Sequence, residues 1–276
     1  MSVELNRPSN FIGKQQQTSH DFDEKTFDAH ADLYEKMFAA PYRKYLEIPT
    51  IGALLGDLTG LNVLDFGCGP GFISRWLQGR GARRIVGYDV SEGMLSYAKR
   101  LEQKHPQGIS YVATLDNNLK EQFDVVLAIY VMPYAPNKEK LLEMSETMAW
   151  LLKPGGRLIT LPIHPKFNPD PEYYRPYGFR LIEKEKRTDG CLVNLHICQP
   201  PYDVNIEAHY WSEETLTSTL RKAGFHSILW QQLQPPQPEQ EHGVSLDGYL
   251  HAPHAAIVEG IKNDKDYTSL PQQSRG

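Results

Sequence analysis

The stretch Val63-Leu64-Asp65-Phe66-Gly67-Cys68-Gly69-Pro70-Gly71 runs from an apolar strand into three closely spaced glycines. Glycine has no Cβ, so such a turn accepts positive φ angles and lets a ligand approach the backbone closely. The residues after Gly71 open a helix, whose first N–H groups lack intrahelical partners and favour an anion. Strand, turn and helix in this order therefore predict a cradle for the anionic end of a ligand. Asp65 is out of place in an apolar strand, because a buried carboxylate is costly unless paired. A cationic neighbour is expected beside it.

The next strand, Arg84 to Asp89, ends on Gly87-Tyr88-Asp89. A carboxylate at that position can accept both hydroxyl hydrogens of a ribose, which implies a ligand containing a nucleoside. Nicotinamide dinucleotides and S-adenosylmethionine both satisfy this pairing.

Further outward, short apolar strands alternate with amphipathic helices. Strands are expected at Leu61–Phe66, Arg84–Asp89, Ile109–Ala113, Phe123–Tyr130 and Gly156–Leu161, and helices at Gly71–Arg80, Gly93–Lys104 and Lys138–Leu152. This rhythm requires a parallel sheet covered on both faces. Two more strands, Phe225–Leu233 and Ala255–Lys262, follow a helix that begins after Ser212 and stops at Gly224. The fold class is thus α/β, a Rossmann-like doubly wound sheet of seven strands. Two N-terminal helices precede it, Phe22–Phe38 and Tyr42–Leu58, with Pro41 between them and Pro49 kinking the second. Residues 1–20 read as a mobile leader and residues 21–276 as one domain. Within that domain, 163–211 forms a cap after strand five, with paired strands at Leu192–Cys198 and Ile206–Trp211.

Four ordered motifs choose between the two cofactors. Asp65-Phe66-Gly67-Cys68-Gly69-Pro70-Gly71 resembles the first motif of the class I S-adenosylmethionine-dependent methyltransferases, with its acidic residue inside the strand. The similarity continues through Asp89-Val90-Ser91-Glu92-Gly93-Met94, Phe123-Asp124-Val125-Val126 and Leu152-Lys153-Pro154-Gly155-Gly156. The finer layout resembles small-molecule enzymes, including the N-methyltransferases of toxoflavin formation. The resemblance implies S-adenosyl-L-methionine as cofactor. It places the methionyl part on the Gly67, Cys68 and Gly69 backbone, its ammonium group near Asp65 and the ribose on Asp89. Val90 and Met94 would flank the adenine, the Leu115-Asp116 turn would meet its amino edge, and Ile129 and Tyr130 would face the sulfonium. Leu115 and Asp116 depart from the Gly-Asp dipeptide usual there. Tyr34 resembles a tyrosine that relatives place over the cofactor carboxylate, with Tyr42 and Arg43 as secondary candidates.

Ligands of open α/β sheets lie beyond the carboxyl ends of the strands, so the methyl acceptor should meet the loops after strands four and five. Tyr130 and His164 are the catalytic candidates. A histidine after strand five, with an ordinary pKa near 6.5, could take a proton as methylation proceeds. Tyr134, Tyr174, His196, His209 and Trp211 supply an aromatic lining suited to a flat, partly polar acceptor, and the competing reading is that they pack the cap. The expected acceptor is a small molecule, an aromatic or heteroaromatic natural-product intermediate methylated on N or O. The alternatives are a nicotinamide-dependent oxidoreductase and a domain that binds S-adenosylmethionine without turnover. A cap pocket filled by its own side chains would favour the latter.

The formal net charge of −5 gives no electrostatic footprint for nucleic acid. Lys184, Lys186 and Arg187 alternate with acidic residues and read as a solvated mixed-charge face. Cys68, Cys191 and Cys198 are odd in number and lack metal-site spacing, so no metal is expected. His251 and His254, three apart, lack the further ligands such a site needs. No apolar run reaches membrane length, and a cytoplasmic monomer or homodimer is the expectation.

Overall fold

The computed structural model describes residues 33–198, 200, 202–236 and 244–264. The expected leader and the start of the first helix lie outside them. The described part of that helix, α1, spans residues 33–39 and ends before Pro41. A π turn, Arg43–Glu47, then leads into α2, Ile48–Leu55. Pro49 has no N–H to return to the preceding turn, so the chain widens there: the Ile48 N–H reaches five residues back, to the Arg43 carbonyl. The sequence foresaw a kink; the structure resolves it as this wide turn.

Seven strands form the main sheet in the order β3-β2-β1-β4-β5-β10-β9. They are β1 Asn62–Phe66, β2 Arg84–Tyr88, β3 Ser110–Val112, β4 Phe123–Ile129, β5 Leu152–Leu161, β9 Phe225–Gln231 and β10 Ile257–Lys262. The first five run parallel, while β10 is antiparallel to both β5 and β9. Every residue of β1 is buried, as a central strand covered on both faces must be. One face packs α5 (Lys138–Leu151) and α6 (Glu213–Lys222) around Phe66, Phe123, Met148 and Leu220. The other packs α2, α3 (Phe72–Gln78) and α4 (Glu92–Lys104) around Ile51, Leu77, Ile85 and Leu95. Strand order reverses between β1 and β4, and the crevice beyond their carboxyl ends is where such sheets bind ligands.

The cap carries a second sheet of three antiparallel strands, β6 Phe179–Glu183, β7 Leu192–Ile197 and β8 Val204–His209. Its inner face joins Tyr42, Leu46, Tyr174, Tyr177 and Tyr249 in a third core. Three elements here were not foreseen: β6, the 3-10 segment Pro171–Tyr177, and a short helix α7, Asp247–His251. All three are short and flanked by prolines, charges or turn residues, so none carries a sustained period. Arg187 departs from the solvated face expected of it. Its guanidinium lies 3.8 Å from the Phe167 ring centroid and donates to the Pro165 and Phe167 carbonyls. Among the described residues no helix is long and apolar enough to cross a membrane.

Candidate active site

The glycine loop is shaped from beneath. A Cβ on Gly67 would lie 2.5 Å from Val131 Cγ2, and one on Gly71 would lie 2.4 Å from the Tyr111 hydroxyl, so neither position admits a side chain. Gly69 differs: its φ is +52° and a Cβ there would meet nothing within 4 Å. The loop is therefore closed toward the protein at Gly67 and Gly71 and open toward the crevice at Gly69.

The N–H groups of Gly67 and Cys68 both donate to the Tyr88 carbonyl, at 2.7 and 2.9 Å. The Gly69 N–H donates to Asp89 Oδ2 at 2.8 Å, and the Ser91 N–H to Oδ1 at 2.8 Å. These donors brace the loop against β2 and are not offered to a ligand, contrary to the simplest reading of the motif. What they achieve is to fix the Asp89 carboxylate at the strand end, each oxygen with a lone pair remaining for a hydroxyl. Burial pushes Asp89 above the ordinary carboxylate range, and the Ser91, Gly69 and Val90 N–H groups pull it back.

Asp65 lies in β1, 2% exposed, and accepts the Ser74 hydroxyl at 2.6 Å. Burial raises its pKa to about 7, against the Ser74 bonds that lower it and with Asp89 adding to the rise. The expected cationic neighbour is absent among its described partners: a hydroxyl on α3 takes that place. Cys68 turns its sulfur away from the crevice, toward the space a Gly87 Cβ would fill. Val90 stands exposed after β2, and Met94 is half-buried with its N–H on the Ser91 hydroxyl. Leu115 packs on the core, whereas Asp116 spends its carboxylate on the Asn118 N–H at 2.9 Å. Asp116 serves its own turn.

Tyr34, from α1, and Tyr134, after β4, come into electrostatic reach of Asp89 and of each other. Burial is the main cause that raises both hydroxyl pKa values. His209 is drawn to the same edge, its Nδ1 3.3 Å from the Pro133 carbonyl.

Beyond the ends of β4 and β5 lies a polar cluster that the sequence did not reveal. Tyr130 has φ +58°, a strained conformation for a bulky residue and one that occurs where a site demands it. Its hydroxyl donates to Glu47 Oε1 and Oε2 at 2.7 and 2.6 Å. The Tyr249 hydroxyl donates to Glu47 Oε1 at 2.6 Å and lies 2.5 Å from His254 Nδ1. Arg43 Nε is 3.8 Å from Glu47 Oε2, and the guanidinium covers the Tyr130 ring at 4.5 Å. Burial raises the Glu47 carboxyl and Arg43 with the two tyrosine hydroxyls lower it, while burial pushes His254 well below the ordinary histidine range. Phe38, Ile129 and Leu161 complete a small cleft with Arg43, Glu47 and Tyr130. The available signal was an Arg-Glu pair four apart on the apolar face of the second helix. Tyr130 sits 83 residues away along the chain, and Tyr249 sits 202 away with His254 just beyond it.

His164 stands outside this cluster. Its backbone N–H donates to the His254 carbonyl, and its ring Nδ1 accepts the Lys166 N–H at 3.0 Å. Burial first, and Lys166 second, lower its pKa. The neutral ring then carries its hydrogen on Nε2 and presents a donor, not the proton acceptor expected of it. The other acceptor-side candidates disperse as well. Tyr174 and Trp211 are 0% and 2% exposed and pack in two different cores, because large aromatic surface is worth most when fully buried. His196 pairs with Asp203 at 2.6 Å on the outer sheet.

Residues 63–156, from β1 into β5, match the family described as a methyltransferase domain. That stretch is about a third of the chain, and the fold around it is shared with a solved S-adenosylmethionine-dependent methyltransferase of Mesorhizobium loti, TM-score 0.54 at 21% identity over 81% of this chain and 98% of that one. The family match supports S-adenosyl-L-methionine over a nicotinamide dinucleotide as the cofactor. The residues in place suit that group: an open face at Gly69, an anchored carboxylate at Asp89 and an apolar rim at Val90 and Ile129. The chain is 24% identical over 187 residues to N-demethylindolmycin N-methyltransferase of Streptomyces griseus, 63% of this chain and 73% of that one. It is 30% identical over 116 residues to ubiquinone biosynthesis O-methyltransferase of Coxiella burnetii, 40% of this chain and 47% of that one, so it spans about half the length of that relative. The fold is shared with the 1,6-didemethyltoxoflavin-N1-methyltransferase of Burkholderia thailandensis, solved with 1,6-didemethyltoxoflavin and S-adenosylhomocysteine. That comparison has a TM-score of 0.52 at 18% identity and covers 87% of this chain and 85% of that one.

Proposed function

We propose that this methyltransferase transfers a methyl group to a nitrogen or oxygen of a small aromatic or heteroaromatic molecule. The observation that carries the reading is the cluster at the ends of β4 and β5, where Tyr130 and Glu47 line a cleft with apolar Phe38, Ile129 and Leu161. A flat acceptor with one polar edge suits such a wall. The named relatives, acting on demethylindolmycin, a ubiquinone precursor and a didemethyltoxoflavin, support that acceptor class.

The bound cofactor supplies a methyl group on a positively charged sulfur, already an excellent leaving group. The protein's task is then alignment and exclusion of water. Asp89 holds ribose hydroxyls, the open face of Gly69 admits the methionyl part, and Tyr34 and Tyr134 close over the crevice. Tyr130 meets the acceptor. No metal is required, and the acceptor pairs with a soluble enzyme whose placement in the cytoplasm and monomer or homodimer state belong to the same proposal.

A second reading, cofactor binding without turnover, is favoured by one feature. The cap core is filled by its own Tyr42, Tyr174, Tyr177, Phe179 and Tyr249. Incubation with methyl-labelled S-adenosylmethionine and a panel of hydroxyarenes and N–H heterocycles separates the two. Label in an acceptor supports methyl transfer; calorimetric binding of the cofactor with no labelled product across the panel supports the second reading.

A further inference from the structure

The polarity of the buried hydrogen bonds specifies more than the cleft's shape. A tyrosine has one proton to give, and Tyr130 gives it to Glu47. Tyr249 likewise gives its proton to Glu47, so the contact with His254 must run the other way, from a protonated Nδ1 to the Tyr249 oxygen. Burial keeps His254 neutral, which is consistent with a single ring hydrogen at that nitrogen. Every bond in the chain His254, Tyr249, Glu47, Tyr130 therefore points toward the carboxylate. Arg43 also donates to the Tyr130 oxygen, so what Tyr130 keeps for the cleft is one lone pair that can only accept.

Resting on the methyl-transfer reading, we infer that Glu47 orients the Tyr130 hydroxyl as the proton acceptor of the reaction, and that the methyl acceptor is a neutral N–H or O–H compound. As the acceptor atom bonds to the methyl carbon, the carbon–sulfur bond breaks and its electron pair goes to sulfur. The proton on the acceptor atom passes to the Tyr130 oxygen, and the Tyr130 proton passes to Glu47. One bond forms and one breaks at carbon, and the released proton ends on a carboxylate. Glu47 acts through Tyr130 and is a positioning residue.

The groups facing Glu47 suit this role. Arg43 on the same π turn favours the charged form, Tyr130 just after β4 and Tyr249 on α7 donate to it, and Tyr42 and His254 face it uncharged. Burial opposes the charge. A carboxylate raised in this way accepts a proton more readily than one in water.

The test uses binding, so that it does not depend on turnover. The probe is 4-nitrophenol, added to the full chain saturated with S-adenosylhomocysteine and followed by its phenolate absorbance as pH is varied. Wild type should bind the neutral phenol at least about tenfold more tightly than the phenolate. Glu47→Gln offers an amide N–H to the Tyr130 oxygen and frees the hydroxyl proton, so the preference should vanish or reverse. Tyr130→Phe, which keeps the ring packing, should abolish it as well and carries the test should Glu47→Gln misfold. Equal binding of both forms by wild type, or a preference that survives Tyr130→Phe, overturns the inference alone while methyl transfer stands. Failure of wild type to bind S-adenosylhomocysteine overturns the methyl-transfer reading and the inference with it.

Discussion

Asp65 and Glu47 are both buried carboxylates, 2% exposed each, and they are held in opposite ways. Asp65 sits in the central strand and has a serine hydroxyl as its side-chain partner. Glu47 sits on a π turn and collects two tyrosine hydroxyls with an arginine close by. The first is short of positive charge, and its pKa rises to about 7. The second has its compensation built in. The difference teaches which of them awaits a partner: Asp65 lies beneath the loop proposed to receive a cationic cofactor, whereas Glu47 is satisfied within the protein.

The largest effect that would sharpen this contrast is catalytic. Tyr130→Phe should lower kcat by about 10²–10⁴-fold with cofactor affinity unchanged, because the proton acceptor is lost and the ring kept. Steady-state kinetics and calorimetry together decide it, and a comparable loss in affinity would place Tyr130 on the cofactor instead.

Asp65 gives the next. Between about pH 4 and pH 7 the folded protein keeps the Asp65 proton that the unfolded chain releases, so its stabilising contribution is complete below pH 4 and is lost as pH rises through 7. Relative to Asp65→Asn, wild type should lose on the order of 2–4 kcal/mol of unfolding free energy across that window. Denaturant melts at four pH values measure this slope, and parallel slopes in the two proteins would show that Asp65 is compensated after all.

Asp89→Ala should weaken S-adenosylhomocysteine binding by on the order of 1.5–3 kcal/mol, since two ribose hydroxyls lose a charged acceptor. The same substitution releases the Gly69 and Ser91 N–H groups, so melting curves must accompany the calorimetry. The smallest effect belongs to His164. With a donor at Nε2 and its other nitrogen engaged, His164→Ala should change kcat by less than about tenfold and leave the acid limb of the pH–rate profile in place. Loss of that limb would restore His164 as the base and demote Tyr130.

The legible part of the site was the part built from one local unit. Gly67, Gly69, Gly71 and Asp89 follow from a strand, a turn and a helix end, all set by neighbours in sequence, and the structure adds only that the loop N–H groups brace β2. Tyr134 could be named from its place after strand four, and Tyr34 from the family resemblance alone. The aromatic cap residues could not be sorted. Whether Trp211 or His209 faces a ligand depends on which side of a strand is covered, and an irregular segment rich in proline and tyrosine carries no period to say so.

By itself, then, the sequence determined the alternation of buried strands and amphipathic helices, and with it the sheet, the crevice and the glycine loop, because a sheet covered on both faces imposes continuous apolar strands and its helices a period of 3.6. Only the tertiary structure decided how strand β10 inserts between β5 and β9, and how the stretch before it delivers Tyr249 and His254 to Glu47. Those choices rest on pairing between segments far apart in sequence, and a buried polar group gives no periodic signal. Its partners become known only when the fold brings the donor and the acceptor within hydrogen-bond reach.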